Sequence, residues 1–329
     1  MKKLIKRLVV LAGLAALLGA GGLAWYGKQP LRIEPLPKTV NVMPGTHLKS
    51  LSVMLEREGV VGNASVFWLL GRVLGKGGAL KAGVYTLDQP LTPLALYAKI
   101  ERGEVSQALV QFIEGWNWRE VRAILAAQPL LKNDSADMSD AELMQAIGAE
   151  ESYPEGLLFP DTYFYAPHTS DLDVLRRAYR LQHDKLLAAW EARAPGLPYR
   201  TPYEALIMAS IVEKETGAAF ERPKIAGVFL NRLRLGMRLQ TDPTVIYGLG
   251  ERFDGNLRKA DLQRDTPYNT YTRAGLPPTP IAMPSEAAIR AALNPAKTDA
   301  LYFVARGDGT HFFSSNLDAH NRAVNRYQR

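Results

Sequence analysis

The chain has 329 residues, 47% hydrophobic and 22% charged, an ordinary globular composition with length for two or three modest domains, which excludes a mainly disordered protein. It contains no cysteine, so disulfides, thiolate metal sites and a cysteine nucleophile are excluded together. The formal net charge is +7, but Lys2, Lys3, Lys6 and Arg7 supply four of those charges before the first apolar run, and the remainder is too small to argue for nucleic acid.

The basic flank is followed by LVVLAGLAALLGAGGLAWY, 19 residues from Leu8 to Tyr26 without a charge, about the length that crosses a bilayer as a helix. Leu18, at the third position before a cut after Ala20, is not small, which disfavours a cleaved signal peptide. The expectation is a single transmembrane anchor with its basic end in the cytoplasm and Trp25 and Tyr26 at the far interface. The rest of the chain then faces outward, where a mildly basic surface suits an anionic partner such as lipid headgroups or cell-wall polymer.

After a linker marked by Pro30, Pro35 and Pro37, VNVMPGTHLKSLSVMLEREGVV reads as strand, Pro-Gly turn and amphipathic helix, with Leu48, Leu51 and Leu55 on one face. ASVFWLLGRVLG is a second helix and LKAGVYTL a second strand, a β-α-α-β order. That order, with PGTHLKSLS in its first turn, resembles the LysM fold, a module associated with N-acetylglucosamine polymers. A helix (TPLALYAKIERG), a strand (QALVQFIEG) and a helix (WREVRAILAAQ) follow, then LKNDSADMSDAE, whose polarity predicts an exposed insertion. From about Asp171 the pattern is strongly helical, and LYFVARGDGTHFFSS near the C-terminus predicts a hairpin turning at Gly-Asp-Gly.

The five histidines form no HExxH or other ligand spacing, and neither GxSxG, SxxK nor a P-loop occurs. Carboxylate chemistry remains. In ALIMASIVEKETG, Glu213 and Glu215 are two apart on a helix, roughly 200° from each other, so they cannot converge on one bond. Met208, Ile211, Val212 and Glu215 fall at i, i+3, i+4 and i+7, which places Glu215 on the apolar face, whereas Glu213 shares its side with Ser210 and Leu206. Burial, and the helix C-terminus expected at the cap Gly217, both favour a neutral Glu215 carboxyl, the form a general acid needs. A buried ion pair of Glu215 with Arg222 or Lys224 fits the same pattern, and the pattern does not choose between them.

The blocks MASIVEKETG, ERPKIAGVFLNRLRLGMRLQTDPTVIYGLG, PYNTYTRAGLPPTPIAMPSEAAIRAALNPA and LYFVARGDGTHFFSSNLDAHN, with the upstream PEGLLFPDTYFY, resemble the endolytic murein transglycosylase (MltG or YceG-like) family. The resemblance implies an α+β chain: cytoplasmic flank and transmembrane anchor (1–28), linker (29–38), LysM-like module (39–105), connecting α+β region (106–170) and a mostly helical lytic-transglycosylase-like catalytic domain ending in a β-hairpin (171–329). It implies a single-pass inner-membrane protein with its C-terminal domain in the periplasm, cleaving peptidoglycan glycan strands internally and ending their polymerisation, with peptidoglycan synthases as candidate partners and with neither metal nor other cofactor.

Soluble lytic transglycosylases carry their catalytic glutamate at a helix end in a Glu-Ser pair, which Glu215-Thr216 matches by position. One carboxylate suffices for them because the substrate supplies the nucleophile, whereas ordinary glycosidases need two. The resemblance further implies Gln240, Thr241, Asp242, Tyr268, Asn269 and Tyr271 as substrate-binding. Two other readings stand beside it: an inert peptidoglycan-binding scaffold, and a hydrolytic muramidase with Asp242 or Asp161 as second carboxylate.

Overall fold

The computed structural model describes residues 2–76 and 80–328, without the side chains of residues 2–12, 15 and 16. Alternating burial and helix-capping residues mark out the elements in chain order. They begin with α1 (Lys2–Lys28), β1 (Lys38–Val42), α2 (Leu48–Arg57), α3 (Ala64–Val73), β2 (Gly83–Leu87), α4 (Pro93–Arg102) and β3 (Ala108–Gln111). Then come α5 (Trp118–Ala126), β4 (Leu131–Lys132), α6 (Asp140–Ile147), β5 (Thr162–Tyr165), β6 (Thr169–Ser170), α7 (Asp171–Glu191), α8 (Pro202–Glu215) and α9 (Arg222–Arg234). The last are α10 (Asp242–Leu249), α11 (Lys259–Gln263), α12 (Glu286–Leu293), β7 (Tyr302–Ala305), β8 (His311–Ser314) and α13 (Leu317–Tyr327). The mixture of helices and small sheets is α+β.

The chain divides into two compact units, residues 1–109 with 164–169, and residues 110–163 with 170–329, so the stretch 106–170 is shared between them. In the first unit, β1 and β2 pair antiparallel with Val40 opposite Tyr85, and their alternate residues point into one core with Leu51, Leu55, Phe67 and Ile100. Tyr97 stacks on Phe67 with ring centroids 4.2 Å apart and donates its hydroxyl to the Phe67 carbonyl at 2.6 Å. A Cβ at residue 71 would lie 2.5 Å from that hydroxyl, which is why α3 carries Gly71 there. The order β1-α2-α3-β2 is the one read from the sequence.

The backbone of the expected anchor, Leu8 to Tyr26, lies within α1; at its far end Trp25 is exposed, and Leu23 and Tyr26 pack against the first unit's core rather than standing free. Among the described residues no helix is long and apolar enough to cross a membrane.

The second unit is built around α8. Every residue from Ala205 to Val212 is buried, because α7, α9, α10 and α12 pack around it. The polar stretch after α5 is largely exposed, as its composition suggests, but it is tied down at a few points. Ser135 is buried and donates from its backbone and hydroxyl to Asp171, Arg122 donates to the carbonyls of Ser135, Ala136 and Met138, and Ser139 with Glu142 forms the capping box that starts α6. These few hydrogen bonds anchor the stretch while most of its residues face solvent. The hairpin forms as expected, with Tyr302 opposite Ser314 and Gly307 and Gly309 at positive φ in the turn.

Candidate active site

Four backbone segments of the second unit converge on Glu215. Helix α8 ends on that residue, and Thr216 is extended at φ −145° instead of continuing to a left-handed cap at Gly217. The Thr216 hydroxyl accepts from the backbone N–H of Ala218 at 3.0 Å, so it shapes the following loop. Helix α9 then carries Arg232, the segment before α10 carries Gln240 to Asp242, and the hairpin with α13 closes the far side. Together they enclose a cavity of about 570 Å3 lined by Glu215, Arg232, Gln240, Asp242, Tyr271 and His311 among others.

Glu215 accepts a close hydrogen bond on Oε1 from the Thr241 hydroxyl and forms no ion pair among the described residues. Burial pushes its carboxyl up to about 7; the Asp242 charge adds to that, while the Thr241 hydrogen bond, His311 and Arg232 pull the other way without cancelling it. The cation expected as a buried partner for one of the glutamates belongs to the other. Arg222 pairs with Glu213 at 3.1 Å, both nearly buried, and Glu213 also accepts from the Ser285 backbone N–H at 2.9 Å and from its hydroxyl. Lys224 lies over the Phe313 ring, 4.4 Å from its centroid. Glu213 is therefore not solvated, and since α8 is buried all round, partners rather than helix faces distinguish the two carboxylates.

Of the residues assigned to substrate, Gln240, Asp242 and Tyr271 line the cavity, with Tyr271 donating its hydroxyl to Asp242 at 2.5 Å. Thr241 is buried beneath it, holding Glu215, and its own backbone N–H is held by the Thr270 hydroxyl at 3.1 Å. Gln240 has φ +51°, a left-handed backbone uncommon for a non-glycine residue. Asn269 is instead an internal brace: its amide nitrogen donates to the carbonyls of Leu262 at 3.0 Å and Arg264 at 2.7 Å, and its oxygen accepts from Tyr271 N–H at 2.8 Å. Tyr268 bonds to Thr279 at 2.9 Å and packs edge-on against Tyr247, outside the cavity lining. Asp161 is likewise absent from that lining, where Asp242 is the other carboxylate.

Three cavity features were not read from the sequence. Arg232, nearly buried, donates to the carbonyls of Leu301 at 2.6 Å and Leu239 at 2.9 Å and to the Gln240 side chain at 3.3 Å. Burial lowers its pKa from the usual arginine value. His311 is fixed by Glu221, which accepts from its backbone N–H at 3.0 Å and bonds its Nδ1 at 2.7 Å. His320, on α13, also faces the cavity and is lowered by burial and then by Arg232. The spacing of Arg232 from Val228 and Phe229, four and three residues earlier, was an available signal that it lies on a buried face.

A second strongly perturbed carboxylate, Glu155, lies away from this cavity. It accepts the Trp118 backbone N–H at the start of α5 and the Tyr247 hydroxyl at 2.9 Å, and burial pushes it up to about 7. Among the described residues no group of histidines and carboxylates is placed to hold a metal ion.

Residues 40–326 match the YceG-like family. A Bacillus subtilis protein named endolytic murein transglycosylase is 32% identical over 331 residues, covering 93% of this chain and 90% of its own. A Streptococcus pneumoniae protein of the same name is 29% identical over 94% of this chain, which spans 63% of that relative's length. The crystal structure of a putative yceG-like protein from Listeria monocytogenes superposes with a TM-score of 0.59 at 30% identity, covering 87% of this chain and 98% of that one.

Proposed function

The chain belongs to the YceG-like family, and from that premise we propose that it is a peptidoglycan lytic transglycosylase, with Glu215 as its single acid and base. It cleaves the glycan strands of peptidoglycan without hydrolysis. The observation that carries the assignment to Glu215 is a buried carboxyl, raised to about 7, whose side-chain partner in the cavity is a neutral hydroxyl rather than a cation.

With Oε1 held by Thr241, the protonated Oε2 is the oxygen left to face substrate. It gives its proton to the glycosidic oxygen between MurNAc and GlcNAc as the bond from MurNAc C1 to that oxygen breaks. The Glu215 carboxylate then takes the proton of the MurNAc C6 hydroxyl while that oxygen bonds to C1. The product is a 1,6-anhydro end, the glutamate is returned protonated, and no water is consumed. A pKa near ambient pH suits a group that must both give and take a proton. Gln240, Asp242 and Tyr271 supply amide, carboxylate and phenol groups to bind sugar, with Thr241 as a positioning residue; Tyr268 and Asn269 support the loop that carries Tyr271.

We place the enzyme in the inner membrane by a single N-terminal helix, with both units in the periplasm. The uncharged run from Leu8 to Tyr26 inside one continuous helix supports this, as do the exposed side chains of Leu17, Leu18 and Trp25. The β1-α2-α3-β2 order likewise supports a LysM-like module. Mass spectrometry of glycan treated with the full chain tests the activity: anhydro ends are expected, reducing ends would mean hydrolysis, and uncut strands would mean a scaffold. Membrane fractionation of a C-terminally tagged chain tests the anchor, which a soluble, shortened product would overturn.

A further inference from the structure

Beside the Glu215 cavity, and sharing its His311, lies a second concavity of about 410 Å3 that the cleavage chemistry does not use. Its walls are aromatic and cationic: Lys224 stands 4.4 Å from the centroid of Phe313, Arg306 stands 5.8 Å from that of Phe312, and Phe220 is 76% exposed beside them. Neither Lys224 nor Arg306 forms an ion pair among the described residues. The nearby acids are already engaged. Glu221, which lines the concavity, is taken up by the backbone and ring of His311, and Asp308 is held first by the hydroxyl and backbone N–H of Thr310 at 2.7 and 2.9 Å and only last by the charge of Arg306.

A site with two cations above aromatic faces, neither in an ion pair among the described residues, recognises a carboxylate-bearing chain with apolar surface. A glycan stripped of its peptides carries only the lactyl carboxylate, held close against each MurNAc ring and without apolar surface, whereas the short peptide on that lactyl group carries carboxylates on an extended chain with apolar side chains. The shared His311 makes this concavity adjacent to the one that would hold the sugar backbone. We propose that it is a subsite for the acidic peptide stem of the strand being cut. The inference rests on the activity proposed above and names the substrate feature that activity selects.

Matched glycan strands, one set with stems and one stripped by an amidase, would be given to the full-length wild-type chain, to Lys224→Ala/Arg306→Ala and to Lys224→Arg/Arg306→Lys. The wild type should cut stem-bearing strands about tenfold more efficiently through a lower KM, and the alanine pair should lose that preference while cutting stripped strands as before. The conservative pair should keep most of it. Indifference of the wild type to stems, or equal losses on both strands, overturns the subsite. Titration of the Glu215→Gln chain with a synthetic stem tetrapeptide needs no cleavage. Binding weakened about tenfold by adding the alanine pair supports the subsite, and binding left unchanged overturns it. Absence of anhydro ends from both strand types, with the peptide still bound through Lys224 and Arg306, would overturn the proposed activity alone. If the alanine pair abolished binding to anionic vesicles and left the peptide titration unaltered, the surface would be a lipid site and the stem assignment wrong.

Discussion

The last turn of α8 holds two carboxylates in opposite circumstances, two residues apart. Glu213 is answered by a buried arginine, a backbone N–H and a hydroxyl, so its charge is compensated where it sits. Glu215 faces a cavity and is answered on its helix-facing side by a hydroxyl, so burial acts on it with little opposition and its carboxyl titrates near 7. Equal chemistry and nearly equal burial thus give a brace in one case and an acid in the other. The neighbours that decide it arrive from segments remote in sequence: Arg222 and Ser285 for one, Thr241 for the other.

The largest effect expected from breaking this contrast is on turnover. Glu215→Gln should lower the rate of anhydro-end formation by about a hundredfold to ten-thousandfold. Its stability near neutral pH should be unchanged or slightly higher, as thermal melts would show. Glu213→Gln should do the reverse, leaving Arg222 buried without its counter-charge and costing about 3–5 kcal/mol in denaturant unfolding, while the molecules that remain folded keep most of their activity. If the two variants exchanged these behaviours, the assignment of acid and brace would be wrong.

Titration sharpens the contrast further. Because the Glu215 carboxyl is raised from 4.5 to about 7, the folded chain holds a proton there that the unfolded chain has released. Its stabilising contribution is therefore fully present below 4.5 and is lost as pH rises through about 7, on the order of 3 kcal/mol across that window. Glu155 contributes in the same window, so the quantity to measure is the stability of the wild type minus that of Glu215→Gln at each pH. A difference independent of pH would show that Glu215 is not raised. The smallest effect is a shift in the pH profile: Thr241→Val removes the hydrogen bond that lowers the Glu215 pKa, so the alkaline limb of the activity profile should move to higher pH. An unmoved limb would mean that Thr241 does not act through Glu215.

Local pattern made much of this legible. Alternation in β1 and β2 and the Gly-Asp-Gly turn of the hairpin each depend on neighbouring residues and formed as read, whereas α8 stopped at Glu215, short of the expected glycine cap, because Thr216 is extended. The helix-face reason for choosing Glu215 was weaker than its result, because helices packing on every side of α8 leave no solvated face against which to contrast it. Arg232 and His311 were missed for a related reason. Arg232 meets Leu301, 69 residues away, and His311 meets Glu221, 90 residues away, and an isolated basic residue in a helix or hairpin carries no mark of so distant a partner. The stretch around Ser135 is mostly exposed, as its polar composition suggests, and only the buried anchor of Ser135 on Asp171 was not legible there.

The backbone at Gln240 sets a strained conformation against a side-chain contact. A left-handed conformation at a residue with a long side chain costs of order 1–3 kcal/mol, and asparagine tolerates it better. Asparagine is one methylene shorter, however, and its amide would fall short of the 3.3 Å contact that Arg232 makes with the Gln240 side chain. Gln240→Asn should therefore ease the backbone while giving up the Arg232 contact, so that any gain in stability comes with a less constrained cavity wall.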